Sequence, residues 1–228
     1  MRRRAIITID GPAGSGKSTL GRRLAQTLGY LYLDSGALYR AVAWQSGQVK
    51  VDVGDPQSLA AFLAAFEPRV EASANGFRVF VNGRELTSEL RTPETSQASS
   101  LVAARPKVRE WVNRHLRELA RDGGVVAEGR DLGAAVFPQA EVKFYLDARL
   151  DVRAARRRRE WQHQGGAPGM EGVKSELAQR DRQDETRAAS PLTIPAGATV
   201  IDTSDLDADQ VLATCLSRIR EILDGDLQ

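Results

Sequence analysis

The sequence predicts an α/β protein: a three-layer fold with a parallel sheet between helices, a small antiparallel β insertion and a helical lid. Three observations predict it. Short apolar runs suited to buried strands alternate with helical stretches. The first of these runs leads through a glycine-rich turn directly into a helix. Between residues 67 and 91 the pattern changes to strand-like runs punctuated by Asn75-Gly76 and Asn82-Gly83, pairs that favour tight hairpins.

Taken in order, Ala5–Asp10 is a strand and about Lys17–Leu28 a helix. Leu31–Asp34 is a second strand, and Ser35 caps a helix carrying Leu38, Val42 and Trp44. Asp55-Pro56 supplies an N-cap and first-turn proline for a helix over Gln57–Phe66. Arg69–Ser73 and Phe77–Val81 form the antiparallel insertion. Thr92-Pro93 and Pro106 start two further helices; in the second, Val108, Trp111, Val112, Leu116 and Leu119 share a face. Val125–Glu128 and Val142–Leu146 are short buried strands. Arginine-rich helices over about 150–163 and 171–187 flank Gly165-Gly166-Ala167-Pro168-Gly169. Thr199–Asp202 is the last strand, followed by an amphipathic helix bearing Val211, Leu212, Cys215, Leu216 and Ile219. With no repeat and no long linker, residues 1–228 read as one domain.

Composition narrows the function. One cysteine, Cys215, makes no intramolecular disulfide, which excludes a disulfide-stapled scaffold. The longest apolar run, Leu59–Phe66, is far short of the ~20 residues of a membrane span. Only Ala5, Ile6 and Ile7 separate Arg2-Arg3-Arg4 from Thr8, too few for a secretory core. The expectation is a monomeric cytoplasmic protein with neither membrane nor nucleic acid as partner. Lys+Arg 32 against Asp+Glu 30 leaves +2, too balanced for a general nucleic-acid coat. Lysine occurs only at 17, 50, 107, 143 and 174, so the basic residues are mostly arginine, whose fork binds phosphate bidentately.

Residues 11–19, Gly11, Pro12, Ala13, Gly14, Ser15, Gly16, Lys17, Ser18 and Thr19, satisfy G-x-x-x-x-G-K-[ST] in the required strand-to-helix context. The glycines let successive N–H groups face one anion, and the helix adds its positive end. Lys17 then reaches the β/γ-phosphates and Ser18 is a Mg²⁺ ligand. This is a P-loop NTPase-type fold. Neither N-K-x-D nor D-x-x-G occurs, which argues against a GTPase switch, and Val125-Val126-Ala127-Glu128 ends in Glu where motor-type ATPases place Asp. A small kinase fits better.

The acceptor follows from charge. A hydroxyl acceptor calls for a positioned base, and neither His115 nor His163 lies in a recognisable motif. A phosphate acceptor is largely a dianion at neutral pH and needs cations instead. Arg40, Arg130, the Arg156–Arg159 run, Arg180, Arg182 and Arg187 meet that demand.

Four strings make the sequence resemble the bacterial cytidylate kinase family from about Ile6 to the C-terminal helix. They are Ile9–Thr19, Leu-Asp-Ser-Gly-Ala-Leu-Tyr-Arg (33–40), Glu-Gly-Arg-Asp-Leu-Gly (128–133) and Arg-Asp-Arg-Gln-Asp-Glu-Thr-Arg (180–187). The resemblance implies transfer of the ATP γ-phosphoryl group to CMP or dCMP with Mg²⁺, giving ADP and CDP or dCDP. It implies that Arg40, Arg130 and Arg187 grip the CMP phosphate and that Ser100, Arg109 and Asp131 read cytosine. It assigns Arg180 and Asp184 to the sugar, places Ser35 and Tyr39 in the same pocket, and makes Arg156 and Arg158 lid contacts to ATP. An acceptor region over 35–110 and a lid over 150–187 follow. Glu128 stands where many relatives have Asp, and Ala134 where Thr is common. Two other readings remain open: a P-loop kinase with another small acceptor, and a non-enzymatic nucleotide-dependent RNA-binding module.

Overall fold

The strand β1 (Arg4–Asp10) is buried along all but its first residue, as a strand covered on both faces must be. In the computed structural model, which describes residues 4–162, 169–187 and 190–225, β1 is the middle of a five-stranded sheet. The others are β2 (Leu31–Asp34), β6 (Gly123–Glu128), β7 (Val142–Asp147) and β8 (Thr199–Asp202), in the order β2-β6-β1-β7-β8, all parallel. The insertion forms its own antiparallel sheet of β3 (Arg69–Ser73), β4 (Gly76–Val81) and β5 (Arg84–Leu86).

Alternation along the strands builds two cores. Ile6, Leu33, Val125 and Ala127 face α2 (Ser35–Gln48), α5 (Pro106–Leu119) and the insertion, where Val42, Val112, Leu116 and Val79 are buried. Ile7, Ile9, Val126, Phe144 and Leu146 face α1 (Lys17–Leu28) and α8 (Ala208–Gly225), against Leu24, Cys215 and Ile219. α3 (Pro56–Ala65) and α4 (Pro93–Ala103) complete the first side. α6 (Leu150–Gln162) and α7 (Met170–Thr186) pack together through Ala154, Trp161, Val173 and Leu177, with Ala13 beneath them. No helix among the described residues is long and apolar enough to cross a membrane.

The predicted strands and helices form, with three differences, the first being β5 (Arg84–Leu86), a third insertion strand unassigned from sequence. Asp34, not Ser35, caps α2: its carboxylate accepts the Ala37 N–H at 2.9 Å, while the Ser35 hydroxyl donates to the Glu128 carbonyl at 2.8 Å. Residues Leu132–Val136, unassigned from sequence, form a π-helical turn. His163 and Gly165–Pro168 lie outside the described residues.

Candidate active site

The parallel register puts the ends of β1, β2 and β6 at one level: Ile9 pairs with Glu128, and Glu128 with Asp34. Loops at the carboxyl edge of such a sheet form the crevice where ligands bind. Here they surround a cavity of about 820 Å³ reaching from the P-loop to α4, α6 and α7.

The P-loop is shaped by close backbone approach. Gly11 has φ 143°, and a β-carbon there would sit 2.0 Å from the Leu146 carbonyl oxygen. Behind Gly14, the buried Arg153 donates to the carbonyls of Ala148 (2.8 Å) and Ala13 (3.2 Å) and to Asp181 on α7 (2.6 Å). The Lys17 ammonium donates to the Pro12 carbonyl at 2.6 Å. Burial, followed by the nearby Arg130 charge, pushes its pKa down to about 7.

Ser18 Oγ donates to Glu128 Oε2 at 2.9 Å, and the Tyr32 phenol donates to Oε1. Burial, then the neighbouring Asp34, pushes the Glu128 carboxyl up, opposed by Lys17. Among the described residues no three His, Cys, Asp or Glu side chains gather to hold a metal. One hydroxyl backed by one carboxylate suits an ion that arrives with nucleotide phosphates and keeps several waters, as Mg²⁺ does.

Deeper in the cavity, guanidinium groups are paired in advance. Arg40 bonds Asp34 at 3.1 Å, and Arg130 bonds Asp184 at 2.9 Å. Arg187 reaches Asp131 at 3.1 Å and Asp184 at 3.4 Å. Arg109, buried on α5, pairs with the other oxygen of Asp131. Burial alone would raise the Asp184 carboxyl, yet Arg130, Arg180 and Arg187 outweigh it and hold it below the usual range. Burial and the Arg130 charge push Arg180 down to about 10.

Of the residues singled out by sequence, Ala13–Thr19, Ser35, Tyr39, Arg40, Ser100, Arg130, Asp131, Arg156, Arg180, Asp184 and Arg187 line this one cavity. Gly11 and Pro12 support the loop from behind, and Arg109 stands behind Asp131. Arg158 does not line the cavity; Arg157 and Arg159 do. At 3.6 residues per turn, Arg158 lies about 200° around α6 from Arg156, whereas Arg159 is nearly one turn on. Arg156 donates to Thr203 Oγ1 (2.9 Å) and to the Thr203 carbonyl (2.7 Å), beside Gly16. Arg153, Asp181, Tyr32, Thr203 and Asp10 were missed. Asp10 and Asp181 lie inside the quoted strings, but none of the five stands at a spacing that marks its role, because the groups they hold come from other elements.

The cytidylate kinase family model matches residues 7–221. The cytidylate kinase of Pelotomaculum thermopropionicum is 44% identical over 214 residues, 93% of this chain and 95% of that protein. That of Klebsiella pneumoniae is 41% identical over 218 residues, 96% of each. Among solved structures, an uncharacterized protein from Eubacterium ventriosum aligns over 95% of this chain and 98% of its own, with TM-score 0.54 and 11% identity, a likeness of fold alone. Relatives matched over nearly their whole length, and a family model spanning every loop of the cavity, place the chain in the cytidylate kinase family.

Proposed function

We propose that the protein transfers the γ-phosphoryl group of ATP to CMP or dCMP, giving ADP and CDP or dCDP. One observation carries this reading: a P-loop and a cluster of carboxylate-paired arginines open into the same cavity. The P-loop holds the donor phosphates, with Lys17 on the β/γ groups. Ser18, backed by Glu128, would hold Mg²⁺, which neutralises charge on the phosphates when bound. Arg40, Arg130 and Arg187 hold the acceptor phosphate. Its dianion needs no general base. An acceptor oxygen attacks the γ-phosphorus in line as the bond to the β-γ bridging oxygen breaks, and ADP carries away that electron pair. The protein supplies positioning and electrostatic stabilisation.

Asp131 and Arg109 read the base. The carboxylate gives one oxygen to Arg109 and one to Arg187, and each oxygen keeps a lone pair for a further donor such as the cytosine amine. Ser100 lines the same end; Arg180 and Asp184 meet the sugar. Residues 35–110 form the acceptor region, and the described parts of 150–187, α6 and α7, form a lid whose closure excludes water from the transfer. The test is ADP release across a panel of nucleoside monophosphates. CMP and dCMP should give the highest kcat/KM; a higher value with another base, or no transfer to any, overturns the reading.

A further inference from the structure

One buried side chain beside the donor site has no part in the scheme above. Tyr32 is 1% exposed, the second residue of the four-residue strand β2, with its ring in the core beneath α1. It pairs in register with Val126, two residues before Glu128, so Tyr32 and Glu128 project from the same face of the sheet. That face lies under α1, where Gly21 clears the space: a β-carbon on Gly21 would stand 2.8 Å from Tyr32 Cε2. The phenol thus runs beneath the P-loop helix and ends on Glu128 Oε1, while Glu128 Oε2 accepts the Ser18 hydroxyl hydrogen bond.

A glutamate is one methylene longer than an aspartate and has one more rotatable bond. Left with a single partner, its buried carboxylate would have a free oxygen to satisfy and a choice of rotamers. The phenol removes both freedoms by occupying Oε1 and turning Oε2 to Ser18. With the Ser18 proton committed to Oε2, the lone pairs of Ser18 Oγ are left for a cation. We infer that Tyr32 is a positioning residue for the donor site, acting through Glu128 to orient the Ser18 hydroxyl toward a nucleotide-bound divalent ion. This rests on the donor-site reading proposed above, though not on the identity of the acceptor.

The experiment measures Mn²⁺ binding to the protein–ADP complex by paramagnetic resonance, without turnover and without CMP. Tyr32→Phe keeps the ring and removes only the hydroxyl. Mn²⁺ affinity should fall about tenfold, the low end for outer-shell partners of a metal ligand, with metal-free ADP binding unchanged. In turnover, the Mg²⁺ concentration giving half-maximal rate should rise while KM for CMP stays the same. In a Glu128→Ala background Tyr32→Phe should have no further effect, because its route to Ser18 is gone. Gly21→Ala approaches from the helix side by displacing the ring, and should weaken Mn²⁺ binding in the same Glu128-dependent way. A lower Tm with unchanged Mn²⁺ affinity in both variants would make Tyr32 a merely structural phenol and overturn the inference. So would an equal loss in the Glu128→Ala background. Failure of the wild-type protein to bind Mn²⁺ with ADP would overturn the donor-site reading itself, and this inference with it.

Discussion

The proposed reading of the base turns on Asp131. It is buried, and both its oxygens are held by guanidinium groups, Arg109 on one side and Arg187 on the other. As a carboxylate it only accepts hydrogen bonds, so it suits the exocyclic amine of cytosine and repels the uracil carbonyl. Asp131→Ala should therefore lower kcat/KM for CMP far more than for UMP, since a polar site left unpaired by the wrong base discriminates strongly. The CMP/UMP ratio, measured in both proteins, should narrow at least about tenfold, matching roughly 1.5–3 kcal/mol for a charge-assisted bond; an unchanged ratio removes Asp131 from base reading. Asp131, Arg130 and Arg187 were legible as site candidates because each lies in a recognisable string. The arginines of α6 that line the cavity were not. A run of four consecutive arginines shows no preferred face in sequence, and only the packing of Trp161 and Ala154 against α7 fixes which of them turn inward.

The loop after β6 shows what an element needs from elsewhere. Asp10, fully buried at the end of β1, accepts the N–H groups of Leu132 and Gly133, both at 2.8 Å. Those bonds begin the π-helical turn and fix the loop carrying Arg130 and Asp131. Burial raises the Asp10 pKa from 3.8 to about 6, against the pull of those two N–H groups. A carboxyl whose folded pKa is raised binds its proton more tightly when folded. Its contribution is thus fully present below about pH 4 and lost as the pH rises through about 6, a span worth about 3 kcal/mol. The stability difference between wild type and Asp10→Asn, followed by urea unfolding, should grow in favour of wild type as pH falls from 7.5 to 4.5. A difference that stays flat contradicts the raised pKa. Sequence made the strands legible because apolar runs declare burial, and it made α3 legible through Asp55-Pro56. It missed the π-helical turn because Asp10 stabilises it from 122 positions away. It chose the wrong cap for α2 because Asp34 and Ser35 both suit an N-cap, and only the Glu128 carbonyl, a tertiary partner, claims the serine.

For the molecule as a whole, the site stands on two cores divided by the sheet. Leu116, fully buried, sits in the core that ties α5 and the insertion to the sheet. Leu116→Ala should destabilise the protein by about 2–5 kcal/mol and lower Tm by roughly 5–15 °C at this chain length. Below the new Tm, kcat/KM should stay near wild type, because no cavity-lining group is touched; a large loss of activity in folded protein would show that this core reaches the site. The strand order carries a further consequence. β1, the earliest strand, is flanked by its pairing partners β6 and β7, which lie more than a hundred residues later in the chain. The Arg156 anchor on Thr203 waits for β8, the last strand. A ribosome that has finished the P-loop and its helix has therefore made a segment with no sheet to join. Closure of the long loops between paired strands governs how fast the site is assembled. Phosphoryl transfer by the newly made protein is then a late report, arriving only after its most distant segments have met.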